Sequence, residues 1–437
     1  MFVSKRILFF NSERNGYMLF CGNSNSFYQV DESDVPVIQK MIETGDVSEL
    51  SEEIYNEFVK SGVLLNEDDD SFFNRIKYVS YLSRFDNSCL TLTLTPTMSC
   101  NFSCSYCYEG NRVKNIVMSD EVMESIISFI KIKQVKTLNL YWYGGEPLCA
   151  WSKIVDFNER IKKLNIPNYN QKIVTNGSLM DEEKIKYFIE NDFKTIQITL
   201  DGNEEIQNKR RPMKNGGNSY KVIISNLDKA YTYCKDNKKN INIVIRINID
   251  QDNISIYPKL HKMLEERYDG MFCIYPAFVK NYLEADCHAN NCLTFEKSAD
   301  FIINLAKEYG IYTFNLFPKH NIVMGCPAQK VNTYVIDTEG NMYKCWDDIY
   351  IENRKLGNIV TGIKDIHNVN PMFILNSSGF ENEKCKNCLF LFSCMGGCAR
   401  SRFTNEQVEY QFNPLCHYII NNPQEFLEEY YELKIKG

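Results

Sequence analysis

Three cysteines fall within eight positions of the stretch MSCNFSCSYCYEG: Cys100, Cys104 and Cys107. Thiolates this close in sequence bind soft metals. A closed structural zinc site takes four Cys or His ligands, and no fourth lies near this triple in the sequence. A [4Fe-4S] cluster on three cysteines leaves one iron open to a substrate or cofactor, which accounts for the shortage. The bland alternative is free cysteines that pack as small hydrophobes.

A second group closes the chain. Cys326 is followed after thirteen residues by Gly340 and after four more by Cys345; then come Cys385-x2-Cys388-x5-Cys394-x3-Cys398 and Cys416. Structural zinc on Cys385 and its neighbours is the plain alternative to iron here. Five histidines, with no Ser/His/Asp pattern and no HExxH, leave little room for hydrolytic chemistry. His288, in CHANNC, reads as part of a solvated loop or a substrate-side loop.

The elements that must position these residues alternate. Between residues 90 and 280 six β-rich runs, LTLTLT, TLNLYWY, KIVT, TIQITL, INIVIRINI and FCIYPAF, are separated by segments with helix-period apolar spacing. Six βα repeats predict a parallel sheet, doubly wound or a partial barrel. The three-cysteine loop, GGEPL, NGS and DG each follow a strand, and ligands lie at the C-terminal ends of such strands.

Residues 1 to 66 carry short alternating stretches and two helical patterns, DESDVPVIQKMIETG and VSELSEEIYNEFVKSG. Ser48 with Glu52 fits a helix start and Gly45 a helix stop. This predicts a small winged-helix-like domain, with the acidic NEDDDS as the linker after it. VNTYVID-TEGN-MYKC predicts a β-hairpin, and LEEYYELK a terminal helix.

A chain of 437 residues is long enough for two or three cores. The formal charge of -7 and the lack of a basic patch argue against nucleic acid or an anionic membrane as partner. No apolar run reaches membrane-span length and no cleavage site follows MFVSKRILFF, so the expected location is cytoplasmic. Seventeen cysteines in that compartment point to metal or catalysis rather than disulfides.

The CxxxCxxC spacing, with aromatic Tyr106 before the last cysteine, resembles the signature of radical S-adenosylmethionine (radical SAM) enzymes. Gly144-Gly145-Glu146-Pro147 resembles the GGEP motif of that family, which implies contact with the methionine ammonium of the cofactor. Asn176 in Thr175-Asn176-Gly177, Thr199 and Asp201 in Thr199-Leu200-Asp201-Gly202, and the pair Arg246 and Asn248 in IRINI resemble its cofactor-lining strand ends; Arg211 resembles a family arginine. The C-terminal cysteines resemble the SPASM domain of peptide-modifying radical enzymes.

The resemblance implies an α/β fold: a partial (β/α)6 TIM-like barrel at 88–310, a winged-helix-like leader-recognition domain at 1–70 and a loop-rich iron-sulfur SPASM domain at 311–437. It implies S-adenosylmethionine and three [4Fe-4S] clusters, on Cys100, Cys104 and Cys107, on Cys326, Cys345 and Cys398, and on Cys385, Cys388, Cys394 and Cys416. The middle set is one ligand short. Sulfatase-maturating members carry another cysteine and an aspartate after the hairpin cysteine, whereas Trp346 follows Cys345 here. Asp347, His320, Cys273, Cys287 or Cys292 are the candidates to fill the vacancy, and Cys21, Cys89, Cys149 and Cys234 read as ordinary cysteines.

The implied activity is modification of a ribosomally made precursor peptide, fed by an external donor such as flavodoxin or ferredoxin. A thioether from a cysteine sulfur to a peptide carbon is the expected product. Carbon–carbon or carbon–oxygen cross-linking and formylglycine formation are the alternatives, with a non-catalytic electron carrier or leader-binding scaffold as the non-enzymatic one.

Overall fold

The computed structural model describes residues 1–107, 115–239, 241–279, 291–313, 316, 325–404 and 416–436. At the N-terminus β1 (Phe2–Val3) pairs with β5 (Leu64–Leu65), and β2 (Ile7–Ser12), β3 (Gly16–Cys21) and β4 (Ser26–Val30) form an antiparallel sheet. Two helices, α1 (Val35–Thr44) and α2 (Glu52–Ser61), cover it and bury Val35, Ile38, Met41 and Phe58 against Leu19 and Cys21.

Two expectations in this region need correction. The cap of α2 is Ser51, whose hydroxyl accepts from the Ile54 N–H at 3.2 Å, because Ser48 is held in a turn by Asp46. The acidic run is not a linker but the start of a sixteen-residue helix, α3 (Asp69–Arg84). Asp68 accepts from the Asp70 and Ser71 N–H groups there, and negative charge favours a helix N-terminus.

The six predicted strands form in register with their sequence order. β6 (Cys89–Leu94), β7 (Thr137–Trp142), β8 (Asn168–Thr175), β9 (Phe193–Thr199), β10 (Asn242–Ile249) and β11 (Cys273–Phe278) are all parallel, each beside the next. Leu90, Leu92 and Leu94, Leu138, Leu140 and Trp142, and Ile243, Ile245 and Ile247 are buried at every second position, the period of a strand. The helices α4 (Asp120–Lys133), α5 (Trp151–Lys162), α6 (Glu182–Glu190), α7 (Glu204–Arg210), α8 (Ser219–Asp236) and α9 (Tyr257–Arg267) fall between consecutive strands. In α4, Val122, Ile126 and Ile130 bury one stripe four residues apart.

After α10 (Phe295–Tyr309) the chain returns to the same sheet. β12 (Thr333–Ile336) pairs in parallel with β6, and β13 (Asn341–Tyr343), β14 (Gly357–Asn358) and β15 (Gly362–Ile363) add antiparallel strands, ten in all. The expected hairpin is β12–β13, and the expected terminal helix runs over Pro423–Lys436. Among the described residues no helix is long and apolar enough to cross a membrane.

Candidate functional site

Parallel strands share their C-terminal ends, so the loops after β6, β7, β8, β9 and β10 converge. The three-cysteine loop is gripped from two sides. On one, the Gly145 and Glu146 N–H groups donate to the Thr97 and Ser99 carbonyls at 3.3 and 2.9 Å. On the other, Ser103 and Ser105 donate to Pro212 and Arg210, and Lys214 donates to Asn101.

The Gly145 position tolerates no side chain. A Cβ there would lie 2.7 Å from both the Met98 carbonyl carbon and the Ser99 oxygen, which are backbone atoms of the cysteine loop. Gly145→Ala is expected to destabilise the chain by about 1–3 kcal/mol by overpacking. An unchanged denaturation midpoint would disprove the close approach.

Glu146 has partners within the protein. It is fully buried. Its Oε1 accepts from the Leu148 N–H and the Thr175 hydroxyl at 3.0 and 2.7 Å, and Oε2 accepts from the Asn176 N–H at 2.6 Å. Burial pushes its carboxyl up while these donors pull it down. The side chain therefore clamps the end of β7 to that of β8. Asn176 carries the clamp onward, donating to Asn101 Oδ1 at 2.8 Å in the cysteine loop.

A buried charged network lies beyond. Asp201, fully buried, accepts from the Asn248 N–H at 3.0 Å and from the Tyr106 hydroxyl. That hydroxyl accepts from Arg211 Nη1 at 2.7 Å and Asn248 Nδ2 at 3.0 Å. Arg246 and Asn248 share a face of β10, where Arg246 Nε donates to Asn248 Oδ1 at 2.8 Å. Arg210 joins Asp250 at 2.5 Å and lies 3.6 Å from Asp201. Arg210 and Arg211 thus act on Asp201 while Arg246 is held on Asn248, and Arg211 Nε is buried without a hydrogen-bond partner among the described residues. Thr199, buried at the end of β9, stands beside Asp201 in the chain.

The sequence singled out Arg211 but missed Arg210 and Asp250. Arg210 is the last residue of α7 and Arg211 the next, so the sequence gives no sign of which guanidinium reaches a carboxylate. Asp250 continues the alternation after Arg246 and Asn248, which was a usable sign.

The thiols fall into neighbourhoods. Burial dominates their ionisation and pushes Cys100 up to about 12, with Glu146, Cys104 and Cys149 adding to it. Cys149, read as ordinary, is therefore a spatial neighbour of the triple. Burial and then Cys398 push Cys326 up to about 11; burial, Asp347, Asp348, Cys326 and Cys398 push Cys345 well up. Burial, with Cys416 and Cys388, raises Cys394 to about 11, and Cys416 is raised by burial and by Cys385 and Cys388. Buried thiols that oppose one another's ionisation become thiolates beside a cation. Among the described residues no three metal-ligating side chains are drawn together tightly enough to hold a single ion.

Of the candidates for a further ligand, Cys273 is the first residue of β11, at the end of that strand opposite the three-cysteine loop. Cys292 is buried, with its carbonyl accepting from Gln251. Asp347 is partly buried and adds to the rise of Cys345, while its neighbour Asp348, outside that candidate set, is fully buried and accepts from Arg400 Nε at 2.6 Å. Cys287, His288 and His320 lie outside the described residues. Lys344, also unforeseen, is buried beside Cys326; burial lowers its ammonium to about 7, and it donates to the Lys330 and Thr333 carbonyls.

The converging loops lie within residues 94–254, which match the radical SAM superfamily model. The chain carries a radical SAM domain. It is 26% identical over 360 residues to the cysteine-type anaerobic sulfatase-maturating enzyme of Clostridium perfringens, covering 75% of this chain and 93% of that protein. Its radical SAM fold is shared by a solved anaerobic sulfatase-maturating structure, anSMEcpe with bound AdoMet and Kp18Cys peptide, at TM-score 0.63 and 23% identity over 80% of this chain and 98% of that one. Streptococcus suis SuiB bound to precursor peptide SuiA matches at TM-score 0.52 and 16% identity, over 95% and 99%.

Proposed function

We propose that this radical SAM enzyme modifies a ribosomally made peptide, joining a cysteine sulfur of that peptide to one of its carbons. The single observation that carries the reading is the convergence of the three-cysteine loop, the Gly144–Gly145 backbone and the buried Asp201 network at the C-terminal ends of the parallel strands. Cys100, Cys104 and Cys107 would hold the radical SAM cluster. Cys326, Cys345 and Cys398 would hold a first auxiliary cluster, and Cys385, Cys388, Cys394 and Cys416 a second.

When bound, the cluster and S-adenosylmethionine supply a carbon-centred radical that removes a hydrogen atom from the peptide. The protein's own part is placement. The backbone of Gly144 and Gly145 presents polar groups at the cysteine loop, with no side chain to keep a ligand's ammonium away. Arg211, whose Nε is unpaired among the described residues, suits the carboxylate of S-adenosylmethionine. The N-terminal sheet offers two edge strands, β2 and β4, to which a leader peptide can add as a further strand.

A second reading is formylglycine formation, favoured by the similarity to sulfatase-maturating enzymes. Against it, Trp346 follows Cys345; its ring is exposed and stacks on Tyr143 at 5.6 Å. Mass spectrometry of the candidate precursor separates the two. A cross-link lowers the peptide mass by two hydrogens and keeps the sulfur, while formylglycine from cysteine loses two hydrogens and also exchanges sulfur for oxygen. The thioether reading predicts the loss of two hydrogens together with one thiol that no longer reacts with alkylating reagents; full alkylation of every cysteine in the product would overturn it.

A further inference from the structure

The N-terminal domain meets the C-terminal cysteines at a buried guanidinium. Arg6, just before β2, is buried, and its Nη2 donates to the Lys386 carbonyl at 2.5 Å, between Cys385 and Cys388. Its guanidinium lies 4.8 Å from the ring centre of Phe392 and 5.7 Å from that of Phe73. Asp69 is 3.6 Å away, and Cys388 is within electrostatic reach. The fit around this contact is close. A Cβ on Gly22 would meet the Leu389 backbone, and Ser393 donates to Asn25 Oδ1 at 2.8 Å. Phe20 packs tilted against Phe390, and Phe72 packs edge-on against Phe392.

A second guanidinium reaches the same cysteines from the helix Ala399–Thr404. Arg402 Nη2 donates to Cys385 Sγ at 3.0 Å, and Nε anchors on the Gly396 carbonyl at 2.5 Å. It also acts on Cys416.

We propose that Arg6 and Arg402 are positioning residues that set the reduction potential of an iron-sulfur cluster on Cys385, Cys388, Cys394 and Cys416, which makes the N-terminal domain part of that redox site. The inference rests on reading these four cysteines as cluster ligands. Reduction adds an electron to a site already negative from its thiolates. An N–H···S hydrogen bond and nearby buried positive charge stabilise the reduced form more than the oxidised one. The low local dielectric strengthens both effects. Because Arg6 belongs to the N-terminal domain, displacing that domain removes one of the two charges and makes the cluster harder to reduce.

The test uses the full chain, reconstituted anaerobically with iron and sulfide, carrying Cys100, Cys104, Cys107 and Cys326 as alanine so that the second set alone binds iron. Iron content, the visible spectrum and an EPR-monitored redox titration are read. Arg402→Gln and Arg6→Gln are each expected to retain iron and to lower the reduced-to-oxidised ratio at a fixed poise about tenfold, 59 mV for a one-electron couple. Arg402→Lys and Arg6→Lys, which keep the charge, should recover part of the shift. Parent-like potentials in both glutamine variants overturn the inference, as does loss of iron in Arg6→Gln combined with an unshifted Arg402→Gln. If the parent background binds no iron, or takes up zinc alone, the reading of the four cysteines falls and the inference with it.

Discussion

Replacing Cys100, Cys104 and Cys107 together by alanine should abolish formation of 5'-deoxyadenosine from S-adenosylmethionine, to below one part in a thousand of the parent rate. The iron content of the reconstituted chain should fall by the share of one cluster and no more, because the remaining thiols lie in a different part of the chain. Stability in the iron-free state should change little. Cys107 is exposed and Cys100 and Cys104 are only partly buried, so the substitutions empty no packed core. The loop itself is held by backbone hydrogen bonds to Arg210, Pro212, Gly145 and Glu146, none of which needs a thiol. Anaerobic assay of 5'-deoxyadenosine by chromatography, beside iron analysis, makes the test. Persistent product would remove the triple from the chemistry. Loss of all iron would mean that the three neighbourhoods are not independent, and Cys149, a neighbour of Cys100, would then be the first residue to examine.

What the sequence made legible follows from how far apart the partners are. The six parallel strands were readable because each carries its own alternation, as in Leu138, Leu140 and Trp142. The convergence of the cysteine loop, GGEP, Asn176 and Asp201 followed from the topology alone, since parallel strands share an end. The hydrogen-bond partners of Glu146 were not readable. A carboxylate in GGEP looks free to meet a ligand, and only the pairing of β7 with β8 brings Thr175 and the Asn176 N–H onto it. The start of α3 was hidden because an acidic run looks like a solvated linker, although Asp68 and Asp69 have the helix-start chemistry. Arg6 and Lys386 are 380 positions apart, and no local pattern encodes such a contact.

The buried network around Asp201 should carry the largest stability effect of any single charged residue in the site. Asp201→Ala removes the acceptor of the Tyr106 hydroxyl and of the Asn248 N–H, leaves Arg210 with Asp250 alone and takes a facing carboxylate from Arg211. Removing one partner from a buried ionic group costs about 3–5 kcal/mol, because the charge left behind is neither paired nor hydrated. Asp201→Asn keeps the shape and one acceptor, so its cost should be smaller, about 1–3 kcal/mol. The order of the two midpoints in denaturant checks the argument, and equal midpoints for Asp201→Ala and the parent would sink it. A double-mutant cycle sharpens it further. Arg210→Gln made in the Asp201→Asn background removes a guanidinium that has lost its nearer carboxylate, so the pair should be more stable than the sum of the single changes by about 0.5–3 kcal/mol. Additivity would show that Arg210 answers to Asp250 and not to Asp201. A coupling of the expected sign would mean that the end of β9 and the end of α7 are held as one unit, which keeps Tyr106 and the cysteine loop in place before any cofactor arrives.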